Sequence, residues 1–151
     1  MAQRSATVTW EGTLTEGQGT VDLGSGALTG APVTWASRVE ESGGKTSPEE
    51  LLAAAEAECY AMVLSNMLTK QGGPPRQLEV TATCTVERVE GGLKITGMAL
   101  DVRGDVPGVD SATFSRMAEE ANQSCPVSNA LHGNVEFTVS ARTAQSVSPG
   151  G

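Results

Sequence analysis

Residues 6–10 alternate apolar and polar side chains and are rich in β-formers, which predicts a first strand. The glycine-punctuated stretch 17–23 reads the same way, and residues 33–39 look like a third strand, so the chain is expected to open as a β-meander. The pattern changes after Gly43 and Gly44. Ser47 stands at an N-cap position, Pro48 at the first helical position and Glu50 at the capping-box position, which predicts a helix beginning there. From residue 48 to about residue 70 helix formers persist and most of the circumference is apolar, the signature of a buried helix at the centre of the protein or between subunits.

Gly72-Gly73-Pro74-Pro75 ends this helix. Residues 77–89 and 93–102 flank Glu90-Gly91-Gly92 and predict a hairpin. Asp110 is placed to cap a helix running to about residue 124, Pro126 opens a shorter helix ending at Gly133, and residues 135–141 predict a last strand. The resulting order β-β-β-α-β-β-α-β describes an α+β fold with a long buried central helix and curved antiparallel sheets. Its length suits a single domain over residues 1–144, followed by a frayed polar tail over residues 145–151.

Composition narrows the range of functions. Hydrophobic residues make up 38% of the 151, but the aromatic ones are only Trp10, Trp35, Tyr60, Phe114 and Phe137, so the core must be aliphatic. A formal charge of −8 with no basic patch argues against nucleic acid and anionic membrane surfaces as partners. No charged start followed by an apolar run appears at the beginning, and no eighteen apolar residues run together, so a cytoplasmic, non-membrane protein is expected. Three cysteines, Cys59, Cys84 and Cys125, do not make a secreted disulfide framework and are either inert core or chemically active.

Cys59 sits mid-helix among Ala, Met and Leu, where a small buried hydrophobe is the bland explanation. A thiol of ordinary pKa ~8.5 is only about 3% ionised at neutral pH, and apolar burial lowers that fraction. A reactive Cys59 therefore needs a cation. Lowering the pKa by ~2–3 takes roughly 3–4 kcal/mol, about what one guanidinium ~4 Å away supplies at an effective dielectric near 20. Arg38 is the best candidate, although a strand-end surface charge is the alternative, and a carboxylate would orient its fork. Pro126 puts Cys125 near the first turn of a short helix, where free N–H groups favour a thiolate and suit a resolving sulfur. Cys84 reads as packing, and Glu56 and Glu58 as solvated or subunit-facing positions. His132, together with Cys59 and Cys125, does not complete a metal set, so neither a metal nor a cofactor is expected.

The runs Ser47-Pro48-Glu49-Glu50-Leu51-Leu52-Ala53-Ala54-Ala55 and Cys59-Tyr60-Ala61-Met62, with Cys125-Pro126-Val127-Ser128 further on, resemble the OsmC/Ohr family of thiol-dependent hydroperoxide reductases. Trp10-Glu11-Gly12 and Val106-Pro107-Gly108-Val109-Asp110 look more like its OsmC branch. The resemblance implies a peroxidatic Cys59, a resolving Cys125, an activating Arg38 and a Glu49 that holds the arginine. It also implies an organic hydroperoxide substrate, a dithiol or thiol-protein reductant, and an intertwined homodimer. Met62 and Met67 would wall the substrate site. Glu58 and Tyr60 depart from the family pattern. Glu49 and Cys59 lie about 15 Å apart along one helix and roughly 80° around it, which suggests that one subunit supplies Arg38 and Glu49 and the other both cysteines. Rival expectations are a redox sensor or apolar-ligand-binding dimer, and a purely structural dimer.

Overall fold

A computed structural model describes residues 1–143. The tail expected from residue 145 lies outside the described residues. Contacts divide the chain into two compact units, one ending at Leu51 and the other beginning at Leu52.

The first unit holds a three-stranded antiparallel sheet, β1 (Ala6–Glu11), β2 (Gln18–Leu23) and β3 (Ala31–Val33). Trp10 pairs with Gly19 and Gly19 with Val33. A Cβ on Gly19 would stand 2.8 Å from the Trp10 ring and 3.2 Å from Val33, so the glycine lets both side chains cross the strand.

The strand expected over residues 33–39 is not formed. The chain leaves β3 at Val33 and enters a short helix, α1 (Trp35–Val39). Thr34 caps it: the Ser37 N–H donates to the Thr34 hydroxyl at 3.1 Å, and the Thr34 N–H donates back to the Ser37 hydroxyl at 3.0 Å. These reciprocal bonds outweigh the alternation of apolar residues. Arg38 thus lies in a helical last turn rather than at a strand end.

Helix α2 (Pro48–Lys70) starts at the end of the first unit, and the Glu50 N–H donates to the Ser47 hydroxyl at 3.1 Å as the sequence implies. The Glu50 side chain does not complete the capping box. Its Oε1 accepts from the Thr46 hydroxyl at 2.8 Å instead.

In the second unit β4 (Gln77–Val89) and β5 (Gly92–Asp105) form the expected hairpin, with a bulge between Thr85 and Val86. Two helices follow, α3 (Ser111–Ser124) and α4 (Pro126–Leu131). They return the chain so that β6 (Glu136–Thr143) pairs parallel to β5, and this sheet is mixed rather than wholly antiparallel. The Asp110 carboxylate accepts from the Thr113 N–H at 2.7 Å and fixes the start of α3, and this bond together with the nearby Thr113 side chain holds the Asp110 pKa below its ordinary range.

Tyr60, Leu64 and Leu68 of α2 meet Leu100 and Val102 of β5 and Phe114, Met117 and Ala121 of α3 in one buried cluster that also contains Cys125. Each large side chain so buried contributes about 1.5–3 kcal/mol. Helix α2 is buried along one stripe only; Met62 on another face is 68% exposed. Its length and mean hydropathy of 1.2 would suffice to cross a membrane, a property that core helices of soluble proteins share, and Glu49 and Glu56 on it are buried within the fold.

Candidate active site

The candidate residues begin on the stripe of α2 that faces the core. Cys59 lies on α2 and Cys125 at the N-cap of α4, and their Sγ atoms are 3.1 Å apart. A disulfide bond is about 2.05 Å long, so roughly an ångström of movement joins them. Cys125 is fully buried, whereas Cys59 is half-buried. Of the two, Cys59 is therefore the one that a molecule from outside can reach first.

Pro126 at the first position of α4 has no N–H, and the next residue, Val127, turns its free backbone N–H to the Cys59 sulfur. The sequence suggested that these amides serve Cys125; the described contact is with Cys59. This hydrogen bond favours the thiolate, but burial pushes the Cys59 thiol up by more, and the Cys125 thiol and the Glu56 carboxyl add to the rise. Among the described residues acting on Cys59, the Val127 amide is the group that lowers its pKa.

Glu56, three residues before Cys59, is not solvated as the sequence suggested. It is fully buried, and its Oε1 accepts a very short hydrogen bond from the hydroxyl of Ser128, which is itself fully buried. Burial raises the Glu56 pKa above the usual carboxylate range, against the opposing effects of Ser128 and His132. The spacing is matched on the two helices: Glu56 and Cys59 are one turn apart on α2, Cys125 and Ser128 one turn apart on α4. Two contacts, sulfur to sulfur and carboxyl to hydroxyl, bridge the pair.

Tyr60, adjacent to Cys59, donates its hydroxyl to the Ala118 carbonyl of α3 at 2.5 Å, and burial pushes its pKa upward. Cys84 is half-buried on β4. His132 ends α4 and stands edge-on to Phe137, with ring centroids 5.1 Å apart.

Within the first unit, Arg38 Nε donates to Glu49 Oε1 at 3.0 Å and Nη2 lies 2.9 Å from the same oxygen. The Arg38 side chain is 32% exposed and that of Glu49 7%. The guanidinium carbon is 6.0 Å from the Trp35 ring centroid. Arg38 also borders an apolar cavity of about 300 Å³ whose walls include Trp10, Leu14, Trp35 and Leu51. Within the second unit, Met62, expected as an apolar wall, borders a cavity with Asn66, Thr69 and Arg76, and Met67 packs against the core.

A model of the OsmC-like protein family matches residues 41–140, a span that holds Glu49, both bridging cysteines, Glu56 and Ser128. The chain belongs to the OsmC-like family. This OsmC-like chain is 40% identical over 126 residues to the peroxiredoxin OsmC of Escherichia coli strain K12, which covers 83% of the chain and 87% of that protein. It is 30% identical over 98 residues to the organic hydroperoxide resistance protein of Xanthomonas axonopodis pv. citri, covering 64% and 67% of the two chains. The crystal structure of the organic hydroperoxide resistance protein OhrB of Bacillus subtilis superposes with a TM-score of 0.72 at 25% identity, over 91% of the OsmC-like chain and 98% of OhrB.

Proposed function

We propose that the chain is a thiol-dependent peroxidase that reduces organic hydroperoxides to alcohols with Cys59 and Cys125. The observation that carries this reading is the 3.1 Å separation of a half-exposed sulfur and a fully buried one. The names of the relatives, a peroxiredoxin and hydroperoxide resistance proteins, point to the same chemistry.

The Cys59 thiolate attacks the outer oxygen of the hydroperoxide and the alkoxide leaves, taking a proton to become the alcohol. The Cys59 sulfenic acid then condenses with the Cys125 thiol: the S–S bond forms, the S–O bond breaks, and water departs. A dithiol or thiol protein reduces the disulfide and completes the cycle.

The thiolate requires a cation that outweighs the burial, thiol and carboxyl effects raising the Cys59 pKa. Arg38 fills that role, oriented by Glu49, and also donates to the oxygen on which charge develops. Glu49 and Cys59 are separated by about 15 Å of helix, so a two-fold pairing of α2 helices brings the Arg38–Glu49 pair of one subunit to the thiols of the other. The open apolar positions of α2, Met62 among them, support such a homodimer. The apolar cavity beside Arg38 suits an alkyl tail better than hydrogen peroxide.

Cumene hydroperoxide consumption in the presence of dithiothreitol tests the reading. Wild type turns over repeatedly and Cys59→Ser does not. One stoichiometric oxidation without further turnover in wild type would instead identify a sensor.

A further inference from the structure

Glu56 is buried, unused by the steps above, and placed where an ionised carboxylate would oppose a thiolate at Cys59. Its contact with Ser128 lies one turn from the sulfurs on both helices, so this bond and the sulfur pair are neighbouring links between α2 and α4. α4 is only six residues long, and its Cys125 makes no capping hydrogen bond with its side chain, so little within α4 itself fixes where that sulfur sits. We propose that Glu56 is a positioning residue for the resolving step: its hydrogen bond to Ser128 clamps α4 to α2 and holds Cys125 within bonding reach of Cys59.

The inference rests on the peroxidase reading. The clamp itself is geometric, a Ser128 hydroxyl donating to Glu56 Oε1, and burial raises the Glu56 pKa, which lessens the charge it sets against the Cys59 thiolate. Among the described residues, the groups that act on it or on which it acts are the Ser128 hydroxyl of α4, His132 at the C-cap of α4, and Cys59 and Tyr60 from its own helix. Resolution joins the two sulfurs and releases the Cys125 proton with the departing hydroxide as water, so the step needs no external oxidant or reductant. It does need the sulfurs in line, and a misplacement of about 1 Å costs up to about 100-fold in rate. Attack on the peroxide involves Cys59 and the cation, and does not depend on where Cys125 stands.

The test separates the two steps in the full-length protein. Reduced wild type, Glu56→Gln, Glu56→Ala and Ser128→Ala are each mixed with one equivalent of cumene hydroperoxide, and peroxide loss, dimedone-trapped Cys59 sulfenic acid and Cys59–Cys125 disulfide are followed in time. In Glu56→Ala and Ser128→Ala, peroxide loss stays within about threefold of wild type while disulfide formation slows about tenfold or more and the trapped sulfenic acid accumulates. Glu56→Gln, which keeps an acceptor for the Ser128 hydroxyl, resolves at close to the wild-type rate. Disulfide formation at the wild-type rate in both alanine variants overturns the proposal, as does equal slowing of both steps in all three variants. Should Glu56→Ala fail to fold, Ser128→Ala carries the same test by deleting one hydroxyl. A wild type that consumes no hydroperoxide overturns the peroxidase reading itself.

Discussion

Arg38 places Nε and Nη2 on one oxygen of Glu49, at 3.0 and 2.9 Å, and leaves Glu49 Oε2 buried without a hydrogen-bond partner. The carboxylate therefore grips one edge of the guanidinium and leaves Nη1 free of it. Removing the charge with Arg38→Ala should lower kcat/KM for cumene hydroperoxide by about two to three orders of magnitude and move the pH profile of Cys59 alkylation upward, since roughly 3–4 kcal/mol of thiolate stabilisation is lost. Arg38→Lys, which keeps the charge without the planar fork, should fall between. Steady-state kinetics and iodoacetamide labelling against pH check both.

The difference in exposure between the sulfurs gives a second prediction. In the reduced native protein iodoacetamide should modify Cys59 well before Cys125, because Cys125 is fully buried and Cys59 only half so. Peptide mapping after short labelling reads the order, and unfolding in urea should abolish it.

The raised pKa of Glu56 has a consequence for stability. At low pH the carboxyl is protonated in both the folded and the unfolded chain. As pH rises past its ordinary value of 4.5, the unfolded chain releases the proton while the folded chain keeps it, and stability falls until the raised folded value is passed. Urea denaturation between about pH 4 and 8 should show wild type losing stability relative to Glu56→Gln as pH increases.

Tyr60→Phe isolates the hydroxyl that ties α2 to α3. Loss of its bond to the Ala118 carbonyl should destabilise the fold by about 1 kcal/mol, read from the urea midpoint, with no change in ring packing.

The sequence revealed those features whose causes are local. The start of α2 was legible because Ser47 and Pro48 act within a single turn, and the β4–β5 hairpin because Gly91 and Gly92 take the positive φ angles that its turn requires. Helix α1 was hidden: its apolar residues mimic a strand, and Ser37 bonds not only to Thr34 but also to the carbonyl of Thr46, nine residues on. The parallel pairing of β6 depends on where α3 and α4 deliver the chain, which no strand pattern contains. Cys59, Cys125 and Arg38 stand out as candidates from their local context, while Glu49 and the assigned roles come from the resemblance. Glu56 was missed because a carboxylate on an apolar helix reads as solvated, and its partner Ser128 lies 72 residues away. The one signal available was the three-residue spacing shared by Glu56–Cys59 and Cys125–Ser128.

The central claim is that Cys59 and Cys125 are partners in one redox cycle. Peptide mass spectrometry of the protein after one equivalent of cumene hydroperoxide tests it most directly. A Cys59–Cys125 disulfide, absent from the reduced sample and from Cys59→Ser, is the predicted result. Oxidation that leaves these two thiols unlinked, or that links either of them to Cys84, would contradict it.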